Sequence, residues 1–349
     1  MRDHGFPTFD VVLSPTTLAA QLRRVLPDRF AAARDMRIHI FKRHRNRCTF
    51  AIEWQGTNAS HAAVGKVYAA NRADVYHAMV AIRRSGFGPN DALSIPQPLA
   101  YVPELHLLLL EKVSGHPVKR ILLEATERER VEAAERSARW LARFHAYGPW
   151  IGRPYHVADV LDSVREWSQA FGAAGHVLTG RPKRLAEDIV VAASALEASE
   201  LCAGHAHYTA GQILIADGQS SAVGSEILRG ATGFELRPKP RTVTFDWDGY
   251  DVADPCRDLA CFLVDLKRLA WKNPDSGAAL SHAATVFLQT YLLLTAPRTA
   301  RNLPFYAAAR FLRMARRDIG DDEPERAAAM VEAGLLVLEQ GIAPLTEGC

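Results

Sequence analysis

Two polar stretches of this chain each abut a short apolar run, and their contents are hard to reconcile with a purely architectural role. The first reads Gly204-His205-Ala206-His207-Tyr208-Thr209-Ala210-Gly211-Gln212 and runs into Ile213-Leu214-Ile215. The second follows Val243-Thr244-Phe245 with Asp246-Trp247-Asp248, and soon after comes Asp254-Pro255-Cys256-Arg257-Asp258-Leu259-Ala260. A polar loop before one strand and an aspartate closing the next is the arrangement phosphoryl transfer requires. The loop supplies a base and a metal ligand, and the aspartate bridges Mg²⁺ to the nucleotide phosphates.

The surrounding pattern predicts a mixed first third and a helical remainder. An amphipathic stretch spans 14–26, and 36–54 alternates like a hairpin around the basic turn Arg43 to Arg47. A short apolar segment, 62–68, carries a single lysine, Lys66, and 72–85 reads as a helix stopped by Gly86 and Gly88. Residues 95–102 and 105–113 read as two strands joined around Pro103. From Lys119 on, apolar residues recur at helical spacing over 119–147, then over 157–171 and 183–199. Short strands at 212–216 and 242–246 flank a loop-like insert, 217–241, and helices return after Pro255. No repeat of solenoid period is visible.

Composition sets outer limits. With 48% hydrophobic and 23% charged residues, the chain is ordinary globular material for one bilobal domain or two smaller ones. A net charge of +3 without a dense basic run gives no case for nucleic acid. The segment MRDHGFPTFD has no secretory pattern, and the strongest apolar run noted, Leu105 to Leu110, is too short for a bilayer, so no membrane partner is expected. Five cysteines without a CxxC pair suit a reducing, cytoplasmic setting.

The two polar stretches resemble the aminoglycoside-phosphotransferase and choline-kinase-like family over roughly residues 36–320. That family's loop reads His-Gly-Asp, four residues, then Asn, followed by an Asp-Trp-Asp type metal motif and an Asp-Pro-x-x-Asp-Leu-Ala helix start. The resemblance implies an α+β, protein-kinase-like bilobal fold, with a small mixed β-sheet N-lobe over 1–113 and a mostly helical C-lobe over 114–349. The catalytic-type loop is then 204–215 and the metal motif 246–248. It implies ATP and Mg²⁺ as cofactors. Lys66, in Gly65-Lys66-Val67-Tyr68, would contact phosphate, and Glu111 to Val113 would form the hinge beside adenine. Gln212 and Asp246 would bind the metal, while His205 and His207 fall in the catalytic loop.

Departures from the family fall on the chemistry. His207 stands at the catalytic aspartate, Ala206 at the glycine and Gln212 at the asparagine. Gln212 keeps an amide oxygen for Mg²⁺. A neutral imidazole at 207 can accept a proton only if its free nitrogen points inward; with an ordinary pKa of about 6.5 it would be partly available as a base. The helix after Lys66 has no Glu, which leaves Asp74 as the candidate lysine partner. The insert, with Gly-Ser-Glu at 224–226 and a basic run at 237–241, is long enough to cover substrate or dock a partner protein.

Each signal has a plainer reading. His205 can brace the loop, Lys66 can be a solvated strand lysine, and Asp258 can be a structural cap. Asp248 can ligate metal or form a turn, and the basic run can be a solvated loop. His205 and His207 could be two legs of a transition-metal site with Asp246. The helix Phe305 to Met314 reads as core with its arginines facing outward. The leading expectation is an ATP-dependent phosphotransferase acting on a hydroxyl of a small molecule or peptide. The other is a pseudokinase that binds a peptide or protein without transfer.

Overall fold

A computed structural model describes residues 8–57, 59–173, 180–216 and 240–347. Most of the predicted insert, 217–239, lies outside the described residues. The chain divides into two compact units, one of Met1–His116 with Leu214–Phe245, the other of Pro117–Ile213 with Asp246–Cys349. The first is built on antiparallel sheet and the second on helices, the α+β composition that the sequence predicts.

In the first unit five antiparallel strands run in the order Arg34–Arg43, Arg47–Gln55, Ser60–Tyr68, Leu107–Glu111, Pro98–Val102. Period-two alternation turns Cys48, Phe50, Ile52 and Trp54 to one face. There they join Leu18 and Leu22 of the amphipathic helix Pro15–Val25, with Phe9, Val12 and Phe30, in one apolar cluster. Ser14 caps that helix, its Oγ accepting from the Thr17 amide. Lys66 lies on the central strand, in register with Thr49 on one side and Leu108 on the other. Its backbone is therefore fixed from both edges. The helix Ala73–Arg84 buries Val75, Ala78, Met79 and Ile82 and packs on Pro98–Val102. Where the sequence predicts continuous strand over 95–102 and 105–113, pairing is confined to Pro98–Val102 and Leu107–Glu111. A 3₁₀ turn and a left-handed His106 (φ 47°) link them, because Pro103 lacks the amide a continuing ladder needs.

In the second unit the predicted helix over 119–147 is two helices, Val118–Glu124 and Glu127–Tyr147. The break is a capping box: the Thr126 amide donates to Glu129 Oε2 at 2.9 Å. Alanines at 133, 134 and 138 lie on the buried face of the longer helix, which packs on Gly277–Leu294. Residues Pro274–Leu294 are long and apolar enough to cross a bilayer by length and composition, and exceed the run at 105–110. Here Leu280, Ala283, Phe287 and Tyr291 of that stretch are buried in the unit. The stretch predicted helical over 183–199 is helix only over Arg181–Ala193.

Gly65 is where the lysine strand tolerates least. A Cβ there would meet the Phe50 ring at 2.5 Å, and Phe50 is fully buried. Gly65→Ala is expected to destabilise the sheet unit by about 1–3 kcal/mol, the usual range for overpacking. Denaturant unfolding of the variant and the wild type would measure it, and an unchanged midpoint would contradict it.

Candidate functional site

The strand Cys202–Gly204 pairs antiparallel with Asp251–Ala253, which runs parallel to Pro154–Tyr155. This three-stranded ribbon sets the loop 205–212 beside the segment that begins at Asp246. The register places Gly204 opposite Asp251, where a Cβ would lie 2.4 Å from the Asp251 carboxylate. Hydrogen bonds then fix the loop. The His205 amide donates to Asp258 Oδ2 at 2.6 Å, and Tyr208 donates its hydroxyl to the Ser137 carbonyl at 2.7 Å. The His205 ring is fully buried, edge-on to Trp247 at 4.6 Å between ring centres. Tyr208 stacks on Trp140 at 5.7 Å. Ala206 between them has φ 68°, a left-handed conformation that favours glycine, the residue found there in the family the loop resembles.

Asp254 and Asp258 anchor the start of the helix Cys256–Lys272. Asp254 accepts from the Cys256 amide (2.8 Å), Ser199 (2.6 Å) and Asn302 (2.9 Å). Asp258 is also approached by His145 Nε2 at 3.5 Å, while His145 Nδ1 lies 2.8 Å from the Tyr291 hydroxyl. Burial alone would raise the Asp258 pKa, but His145 and the His205 amide outweigh it and bring it down to about 2.

Gln212 and Asp246 meet directly. The Gln212 Nε2 donates to Asp246 Oδ2 at 3.2 Å, and Thr209 donates to Gln212 Oε1 at 3.3 Å. Asp246 holds a left-handed backbone (φ 72°, ψ 60°) at the head of a 3₁₀ turn, Trp247–Gly249. With its amide turned over, Gln212 would set Oε1 beside the Asp246 carboxylate, and such hard oxygen donors are what Mg²⁺ takes, with water and phosphate completing its shell. The donor set therefore fits that ion. Among the described residues no group of three or more His, Cys, Asp or Glu could hold a metal.

His207 differs from the sequence expectation. Its Nε2 lies 2.9 Å from Arg313 Nη2. A guanidinium can only donate, so Nε2 accepts and the proton sits on Nδ1. A Cβ on Gly249 would lie 3.0 Å from that Nδ1. Burial, reinforced by Arg313, Arg310 and Arg257, pushes the imidazole pKa down to about 3. The ring is neutral at any working pH, yet its lone pair is already taken. The basic nitrogen that the sequence allows for is occupied. The arginines responsible escape the sequence reading, which turns the arginines of this helix outward. In the helix Leu303–Gly320, Arg316 and Arg317 are exposed, whereas Arg313 reaches His207 and Arg310 Nε and Nη1 are shut off from solvent. The i, i+3 spacing of 310 and 313 is the signal that they share a face.

The remaining expected residues belong to the sheet unit. Lys66 is 6% exposed, its ammonium 5.7 Å from the Tyr68 ring centre. Asp74 accepts from Arg72 Nε at 3.0 Å. Glu111 accepts from Arg241 (2.7 Å) and from the Gln97 amide (3.1 Å), which makes its carboxylate a strut. Val113 follows the last ladder residue of its strand and is half-buried.

The depressed pKa of Asp258 has a sign. A carboxyl held lower when folded than the roughly 3.9 of an unfolded chain contributes stability fully above that value. The contribution falls away as pH drops towards about 2. About 2 kcal/mol is therefore expected to disappear between pH 5 and pH 2. Acid denaturation should show this slope in wild type and a flatter one in Asp258→Asn.

No protein-family model matches the chain, and no curated protein matches it by sequence. Solved structures do match. A choline/ethanolamine kinase family protein from Mesorhizobium loti aligns with TM-score 0.57 and 13% identity, covering 96% of this chain and all of that one. A macrolide 2′-phosphotransferase from Brachybacterium faecium aligns with TM-score 0.50 and 14% identity over 92% of this chain and 98% of that one. The streptomycin–ATP ternary complex of APH(2″)-IIa aligns with TM-score 0.51 and 12% identity over 90% and 95%. At such identities the likeness speaks to architecture. The chain has the protein-kinase-like fold shared by choline kinases and aminoglycoside phosphotransferases.

Proposed function

We propose that this chain is a cytoplasmic, ATP-dependent phosphotransferase that moves the γ-phosphate to a hydroxyl of a small molecule or a modified peptide. The contact of Gln212 with Asp246 at 3.2 Å supports the proposal, because it brings together the amide and the carboxylate that the family resemblance assigns to the metal. Bound Mg²⁺ would supply charge neutralisation on the phosphates. Gln212 and Asp246 would hold it, Lys66 would contact phosphate with Asp74 on the following helix, and Glu111 to Val113 would lie beside the adenine. His205, buried under Trp247, braces the loop rather than touching substrate.

His207 acts here without accepting a proton. Phosphoryl transfer passes through a loose transition state in which positioning and charge stabilisation dominate, so a neutral ring that shapes the loop is compatible with turnover. A rate below that of a carboxylate at 207 is expected, since general bases contribute roughly 10²–10⁴-fold where they act. The same observation favours a second reading, a nucleotide-binding pseudokinase that engages a peptide or protein, with the insert 217–241 as its contact.

Thermal shift and calorimetry with Mg-ATP test the first proposal. A ligand binding only the native state at 100 times its Kd stabilises by about 2.7 kcal/mol. That gain should appear in wild type and vanish in Asp246→Ala. No stabilisation by nucleotide with or without Mg²⁺ would sink the phosphotransferase reading. His207→Asp separates the two readings. It should retain or raise ATP turnover if the loop is a slow catalyst, and leave turnover at zero in a pseudokinase.

A further inference from the structure

The environment of His207 is positive. Arg313 donates to its Nε2, and Arg310 and Arg257 are the next charges acting on the ring. Among the described residues Arg310 and Arg313 form no ion pair, whereas Arg257 does. Arg257 is paired with Asp251 and lies over the Tyr155 ring at 3.9 Å. Among the described residues Arg313 bonds to the neutral imidazole and lies 5.9 Å from the Trp167 ring centre. Arg310 Nε and Nη1 are buried with no hydrogen-bond acceptor among the described residues. Asp265 lies close enough for Arg310 to act on its charge, but among the described residues the two form no hydrogen bond, and burial pushes the Asp265 carboxyl up. Both side chains are half-buried, and like charges one helical turn apart repel. Such a pair persists where something anionic completes it.

We infer that the half-buried arginines beside His207, Arg310 and Arg313, receive an oxyanion, a phosphate, sulfate or carboxylate group carried by the acceptor. This rests on the reading of 204–215 as a catalytic loop and narrows its substrate class. Guanidinium forks match the planar and tetrahedral oxyanions in two-point hydrogen bonding, and their weak hydration suits a half-buried site. His207 belongs to the same device. An aspartate at 207 would pair with Arg313 and consume the charge, whereas a neutral histidine accepts one N–H and leaves the cation for a ligand. The same oxyanion chemistry is present in the γ-phosphate of the nucleotide, so the test must separate the two sources.

The experiment uses the full chain, with inorganic phosphate as the anionic probe and spermidine as the cationic one, each titrated by calorimetry and thermal shift. Phosphate should bind wild type and spermidine should not. Arg313→Gln should weaken phosphate roughly tenfold or more, the loss of one charge-assisted hydrogen bond. His207→Asp should weaken it comparably without removing any arginine, which covers the case in which the arginine variant fails to fold. Both effects should persist with saturating Mg-ADP present. Phosphate binding equal in wild type and both variants, or spermidine binding more tightly than phosphate, overturns the inference. So does phosphate binding that survives Mg-ADP but is abolished by a non-hydrolysable ATP analogue, since the arginines then serve the γ-phosphate. Asp246→Ala keeps the outcomes apart: phosphate binding retained while Mg-ATP binding is lost shows that the anion site stands independently of the nucleotide site.

Discussion

A single carboxylate, Asp258, ties the polar loop to the helices around it. One of its oxygens accepts the His205 amide and faces His145, which in turn meets Tyr291. Three separate stretches of chain thus converge on one buried negative charge: the loop, the helix Glu127–Tyr147 and the helix Gly277–Leu294. Asp258 Oδ1 finds no hydrogen-bond partner among the described residues, so Oδ2 carries the bonding, and its bond from the His205 amide fixes where the backbone of residue 205 must be. The left-handed turn at Ala206, the seating of Tyr208 and the placement of His207 follow from that anchor. The sequence pattern Asp254-Pro255 with Asp258 is therefore a statement about the loop fifty residues earlier as much as about its own helix.

Much of the fold was legible because its signals are local. Alternation over 36–54 marks strands around a basic turn, and Gly86 with Gly88 marks the exit from a helix. The polar stretches at 204–212 and 246–258 announce a site because little else requires that mixture of side chains. The break at Ala125–Thr126 was missed: Thr126 and Glu129 have the spacing of a reciprocal cap, but the apolar periodicity running through them hides it. The neighbours of His207 were not legible in the same way. Arg313 is over a hundred residues from it, and an arginine on an apolar helix looks the same in sequence whether it extends to water or folds inward. Only the tertiary packing decides, and it decides the chemistry of the imidazole.

The charge at position 207 has consequences beyond proton transfer. In the family that the loop resembles, a carboxylate at this point would lend negative potential to the acceptor side. Here a neutral ring stands among guanidinium groups, and the sign of the local field is reversed. Small pairwise energies at the surface rarely matter, yet in a half-buried site the same charges act through a lower dielectric and dominate which partner can approach. A change of one residue at 207 and a pair of inward arginines on another helix are thus one electrostatic unit, and neither is intelligible without the other.

The aromatic packing around the loop also makes the protein its own spectroscopic reporter. Trp140 and Trp247, two of six tryptophans, lie 5.8 Å apart, and Trp247 presses on the His205 ring. Both belong to the unit that carries the loop, and both are shielded from water. Indole emission depends on solvent access and on the groups in contact with the ring. Any motion of residues 205–208 must disturb at least one of these stacks, so the loop can be followed in real time by intrinsic fluorescence, with no dye attached and no cysteine introduced.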